Sequence, residues 1–221
     1  MKYIDKYIKK YGVVKGFTLI ELMVVMAIIT VLSCIIVPLL FGYIEHANNI
    51  VDAEHARMIR DMVYARHSLY GDLDCNNPHY NPNARQTRDN YRTRGYVYVD
   101  TDEIRVSSMQ IAQMLEDAGY IKNASQGRIR RQSSNGTEYS YPIKQTAGNA
   151  NCFTNLRCRS TKKWDTWQVD FIMDESGDVT FSFSARAGVN GTGGDAVATS
   201  LFAQMVQGGS TTDNMDIGEQ I

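Results

Sequence analysis

KGFTLIELMVVMAIITVLSCIIVPLLF, residues 15–41, contains one charged side chain after Lys15, and that is Glu21. From Phe17 to Phe41 the run is otherwise apolar or weakly polar. As a helix it is about 37 Å long at 1.5 Å per residue. That is enough to cross a hydrocarbon core of about 30 Å. A secretory signal has a shorter apolar core, roughly 7–15 residues, and a small-residue cleavage site behind it. No such site follows Phe41. A carboxylate in hydrocarbon costs roughly 2.5–3.5 kcal/mol on insertion scales. Glu21 therefore needs a partner, and that partner bears on what the chain does.

On the amino side, residues 1–16 carry Lys2, Lys6, Lys9, Lys10 and Lys15 against Asp5 alone. A basic flank stays on the cytoplasmic side of a spanning segment. The amino end is expected inside the cell, and the bulk of the chain across a single membrane pass. On the carboxyl side the helix is expected to continue to Gly71, a C-terminal stop. Residues 42–71 form its amphipathic half. Ile44, Ala47, Val51, Met58, Met62, Ala65 and Leu69 recur at steps of three, four or seven and are assigned to the buried face. Glu45, Asp52, Glu54, Arg57, Arg60, Asp61 and Arg66 are assigned to the other faces. Pro38 is expected to kink or loosen the helix.

Residues 72–206 are expected to form a globular α+β head, and 207–221 a polar, flexible tail. Residues 72–95 lose apolar periodicity and read as a loop. A short strand is expected over 96–100. A helix is expected over 107–121, capped by Ser107 or Ser108, with Ile111, Met114, Leu115 and Ala118 inward and Gly119 ending it. Asn135-Gly136 before alternating residues favours a hairpin over 134–143. The clearest β signal is TWQVDFIMD (166–174) and VTFSFSA (179–185), joined by four polar residues. Trp167, Val169, Phe171, Met173, Val179, Phe181 and Phe183 share one face, expected to lie on the helix. Residues 188–195 read as a Gly-rich loop and 196–206 as a last short helix. No internal repeat is present.

A net charge of −1 gives no global sign of nucleic-acid binding. Cys34 lies in the apolar run. Cys75, Cys152 and Cys158 fall in the head, an odd number for closed pairing. Cys152 and Cys158 are candidates for a short disulfide clip in an oxidising compartment. His46, His55, His67 and His79 are scattered and lack metal-site spacing. No phosphate loop, nucleophile elbow or convergent nucleophile and base is legible, so no enzyme and no resident cofactor is expected.

The stretch KGFTLIEL, residues 15–22, resembles the cleavage and assembly signature of type IV pilins and type II secretion pseudopilins. Lys15, Gly16, Phe17, Thr18, Leu19, Ile20 and Glu21 match it position by position, and Pro38 falls where such helices carry a proline. The resemblance implies a pilin-like α+β fold, with the long helix packed on a small antiparallel sheet. It implies cutting between Gly16 and Phe17 by a prepilin peptidase, and N-methylation of the Phe17 amine. It implies assembly into a filament, with Glu21 meeting the Phe17 amine of another subunit or of its own chain. The implied partners are copies of itself and other pilins, an inner-membrane assembly platform with its ATPase, and membrane lipid. Two features vary within the family. Calcium would draw on Asp178 and Asp195 as hard oxygen ligands. Nucleic acid would be gripped by Arg85, Arg88, Arg92, Arg94, Arg128, Arg130 and Arg131, with Tyr80, Tyr91 and Tyr96 interleaved, although a solvated loop is the simpler account of those arginines. The alternatives are a minor or tip pseudopilin of a secretion or DNA-uptake system, and an unprocessed signal-anchored membrane binding module.

Overall fold

The computed structural model describes residues 16–70, 93–133, 136–143, 155–173, 178–188 and 194–208. Helix α1 runs unbroken over Leu19–Tyr70, with Pro38 inside it. Pro38 has no N–H to give the Cys34 carbonyl, yet the helix continues through it. The chain divides into two compact units, Met1–Tyr43 and Ile44–Ile221. In the first, α1 is exposed on every side: Phe17, Leu19, Ile20, Val24, Ile28, Ile35 and Phe41 all face outward. Thr30 and Ser33 turn their hydroxyls back onto the Met26 and Ile29 carbonyls at 2.8 and 2.7 Å.

The second unit is α+β. Strands β1 (Thr93–Val99), β2 (Glu103–Val106), β3 (Arg128–Ser133), β4 (Gly136–Pro142), β5 (Thr166–Met173) and β6 (Val179–Arg186) form one antiparallel sheet in the order β3-β4-β2-β1-β5-β6. Val97, Val99, Ile104, Val106, Tyr141, Trp167, Val169 and Phe171 line its inner face. They share a core with Ala53, Ala56, Ile59 and Val63 of α1. Helix α2 (Met109–Asp117) starts at Ser108, whose Oγ accepts the Ile111 N–H at 3.3 Å. It stops where Gly119 takes φ +78 and the Tyr120 N–H reaches back to the Leu115 carbonyl at 2.8 Å. Helix α3 (Gly194–Val206) brings Phe202 against Trp164 and Trp167, with ring centroids 5.2 and 5.6 Å apart. Arg57 of α1 closes its last turn, donating to the carbonyls of Val206 and Met205.

Several expectations are corrected. The buried face of α1 is Glu45, Asn49, Asp52, Ala53, Ala56, Ile59 and Val63, while Ile44, Ala47, Met58, Ala65 and Leu69 are exposed. The face is displaced by about one residue, or 100°. The cause is a distant loop that supplies donors to two carboxylates, described below. Ala118 caps α2 and is exposed; Ala112 takes its place inside. The 96–100 strand starts earlier and has β2 as a partner that the sequence did not announce. The arginine-rich segment 128–131 is an edge strand rather than a loop. The β5–β6 hairpin forms with Trp167 opposite Ala185 and Phe171 opposite Phe181. The loop 72–92, most of the tail, Cys75, Cys152, His79, Arg85, Arg88, Arg92, Tyr80 and Tyr91 lie outside the described residues.

Candidate functional site

The amino end of α1 carries the residues that the signature singles out. Thr18 is the residue before the helix. Its N–H donates to Glu21 Oε2 at 2.8 Å, and its hydroxyl donates to the same oxygen at 2.7 Å. The Glu21 N–H returns a bond to the Thr18 hydroxyl at 3.3 Å. This is a reciprocal capping box. The carboxylate also sits in the first turn, where the helix dipole favours negative charge. The partner that Glu21 needs is thus supplied locally, three residues away. The T-x-x-E spacing carried that signal, although Thr18 was legible beforehand only as part of the signature. Phe17 is 88 % exposed, and a Cβ built on Gly16 would meet nothing within 4 Å. Nothing among the described residues requires glycine at position 16.

A second constellation was not anticipated. The loop 155–165 wraps two carboxylates of α1 that stand two turns apart. Asp52 is wholly buried. It accepts the N–H groups of Arg159 and Ser160 at 2.9 and 3.0 Å, the Trp164 indole N–H at 2.9 Å, and the Cys158 thiol at 3.5 Å. Glu45 accepts the N–H groups of Thr161 and Lys162 at 3.0 and 2.9 Å, and the hydroxyls of Ser160 and Thr161 at 2.8 and 3.0 Å. The loop is pinned at both ends: Cys158 N–H to the Asp100 carbonyl, and Asp165 N–H to the Arg186 carbonyl, each at 3.1 Å.

Burial works to raise both carboxyls, and the donors oppose it. At Glu45 the donors from Lys162, Ser160 and Thr161 win, and the group is held below the usual carboxylate range. At Asp52 burial wins, and the group lies above it despite its four donors. Burial and the Asp52 charge push the Cys158 thiol far up, so it behaves as an inert structural thiol. Cys158 is a free, buried thiol here; its suggested partner Cys152 is outside the described residues.

The remaining candidates are dispersed. Asp195 accepts the Ala187 N–H at 2.9 Å, beyond the end of β6, whereas Asp178 precedes its first residue. Nine residues of extended chain separate positions 178 and 187, about 30 Å, so no single ion can take both carboxylates. Among the described residues, no group of three or more His, Cys, Asp or Glu side chains is arranged to hold a metal. Arg130 is committed to Glu103 and Glu138, and Arg105 to the same two carboxylates while lying 4.3 Å over the Tyr98 ring. Tyr96 donates to Glu138 at 2.9 Å. These basic and aromatic residues form an internally compensated network on the outer sheet face. His55 meets Tyr120 edge-on at 5.9 Å, and burial, with Arg159 adding to it, lowers its affinity for a proton.

Residues 13–36 match the family described as the prokaryotic N-terminal methylation motif, the signature of type IV pilins and pseudopilins. No curated protein and no solved structure matches the chain. Among the described residues α1 is the one helix long and apolar enough to cross a membrane. Motif and helix together fit a membrane-anchored, single-pass protein with pilin-type processing.

Proposed function

We propose that this chain is a structural subunit of a type IV pilus or pseudopilus, matured between Gly16 and Phe17 and polymerised through α1. One observation carries the reading. The single carboxylate of the apolar run is held within one turn of the Gly16–Phe17 peptide bond, by a capping contact that can be exchanged.

The chemistry follows from that position. An open Gly16 suits close approach by a peptidase, since no side chain blocks the backbone. Hydrolysis frees the Phe17 amine, one residue before Thr18. A methylated amine remains cationic and enters reach of Glu21. In the membrane the carboxylate relies on Thr18. In a filament, the amine of a neighbouring subunit replaces or joins Thr18, and the paired charges offset each other's desolvation. A register error of one subunit would leave Glu21 unpaired in an apolar core. The exposed helix cannot associate by the hydrophobic effect while in lipid. An assembly platform and its ATPase are accordingly the partners expected to extract it, after a prepilin peptidase has acted. The filament lies outside the cytoplasm, and the subunit lies in the cell membrane beforehand.

Intact mass and N-terminal sequencing of the protein from membranes and from sheared surface material test this. A chain beginning at Phe17, heavier by one methyl and abundant in the sheared fraction, is the expected result. Retention of Met1–Gly16 beside an active prepilin peptidase would overturn it in favour of a signal-anchored binding module.

A further inference from the structure

The two edges of the sheet, both within the head, are finished differently. At β6 side chains take up outward backbone groups. Tyr64 of α1 donates to the Val179 carbonyl at 3.4 Å. Thr199 of α3 accepts the Ala185 N–H at 3.1 Å and donates to the Ala185 carbonyl at 2.8 Å. Asp195 accepts the Ala187 N–H just beyond the strand. The carboxylate clamp, loop 155–165 on Glu45 and Asp52, is tied to the same strand through the Asp165 N–H and the Arg186 carbonyl. At the opposite edge, β3 pairs with β4 on one side and, among the described residues, with no strand on the other. No side chain among them closes the outer backbone of residues 129–132.

An open edge is a template for another strand. The side chains of β3 define which strand it accepts. It reads R-I-R-R-Q-S, with three cations and no anion. Arg128 stands opposite Ser140 and Arg131 opposite Glu138, on the outer face where Ser140 donates to Glu103 and Tyr96 to Glu138. Ile129 stands opposite Tyr139, on the face that packs the core, and is 61 % exposed at the sheet's end. A second copy is a poor occupant. Pairing β3 with itself sets arginines against arginines, and like charges across a strand pair repel. A phosphate chain is no better served: Glu103 and Glu138 lie beside the arginines, and Ile129 offers it nothing. An extended peptide with carboxylates on one face and apolar side chains on the other matches the backbone edge, the arginines and Ile129 together.

We propose that the free edge of β3 is a docking site for an extended acidic segment of a partner protein, which joins the six-stranded sheet as a further strand. Backbone pairing supplies affinity and the alternation supplies choice: a carboxylate beside Arg128 and Arg131, an aliphatic side chain beside Ile129. The arginines keep copies of this edge apart and admit a strand of opposite charge. The site depends on the head alone.

The full-length chain in detergent micelles tests this with a short labelled peptide alternating glutamate and valine, its lysine–valine counterpart, and a short oligothymidylate. Anisotropy reads binding and amide exchange reads its place. The glutamate peptide is expected to bind at least about tenfold more tightly than the lysine peptide, and to slow the outward N–H groups of β3 about tenfold. Arg131→Glu should shift the preference about tenfold toward the lysine peptide, with tryptophan fluorescence unchanged. Equal binding of the two peptides would overturn the proposal, as would protection that falls outside β3. So would slow exchange at every N–H of β3 before peptide is added. If that protection is independent of protein concentration, the chain closes its own edge; if it grows with concentration, a second copy does. Displacement of the peptide by the oligonucleotide would reassign the arginines to phosphate.

Discussion

Helix α1 carries two carboxylates with opposite solutions to the same problem. Glu21 is exposed, and its donors come from Thr18, three residues away. Asp52 is buried, and its donors come from residues 158–164, more than one hundred positions later. A local capping contact can be broken and replaced while everything else stays folded. A long-range one holds a loop, two strand ends and a tryptophan in place. The difference separates a residue free to change partners from one that fixes the fold.

The largest test of that contrast is a pair of truncations. Asp52→Ala strands two backbone N–H groups and an indole N–H in the interior, at about 1–3 kcal/mol per unsatisfied group. We expect a loss of roughly 3–5 kcal/mol in urea unfolding of the head, not fully additive. Both tryptophans, Trp164 and Trp167, lie in the head, so their fluorescence reports it alone. Glu21→Ala should leave that unfolding within about 0.5 kcal/mol of the parent, while filament yield in sheared fractions collapses. Equal effects of the two on head stability would break the comparison. Next in size, Trp164→Phe keeps most of the contact with Phe202 and removes one hydrogen bond to a charged group, about 1.5–3 kcal/mol. Thr18→Ala removes a cap worth about 1 kcal/mol to the helix start. Amide exchange should rise over the first turn of α1 in micelles, and stay unchanged in the head.

The smallest effect sharpens the comparison within the clamp. Glu45 is held below its ordinary range, so its contribution is present above the unfolded value and lost as pH falls through the lower folded one. Asp52 is raised, so its ionisation works against folding. Its contribution is full at low pH and lost as pH rises through the folded value. The two partly cancel. Melting of the parent over about pH 3–6 should therefore be shallow. Glu45→Gln should lose less stability than the parent as pH falls, because the Glu45 contribution is gone while that of Asp52, and the opposing one of Glu103, remain.

These carboxylates also mark the limit of what the sequence disclosed. The apolar run, the Ser108 cap and the Trp167/Val169/Phe171 alternation were legible because their cause is local: length, a hydroxyl before a helix, a period of two. Strand β2 alternates as E-I-R-V but over four residues only, too few to stand out, and β3 reads R-I-R-R-Q-S with a register shift between Ile129 and Arg131, so it shows no clean period. The helix face was misassigned because Glu45, Asn49 and Asp52 occupy core positions. Charged residues belong inside only when donors are supplied, and those donors are invisible within any helical window. At the amino-terminal site, Gly16, Phe17 and Glu21 were legible as a motif. The reciprocal bonds of Thr18 needed coordinates, as did the clamp entirely.

The clamp also imposes an order of events. Thr161 lies 116 residues after Glu45. At synthesis rates of about 5–20 residues per second, Glu45 emerges roughly 6–23 s before its donors. Throughout that interval the two inward carboxylates of the head-proximal half of α1 have only water as a donor, and burying them early would cost that hydration. Premature closure of β1 and β2 onto it is disfavoured. The chain is thereby kept open until residues 158–164 have followed it, and completion of the head is tied to the late arrival of one short loop.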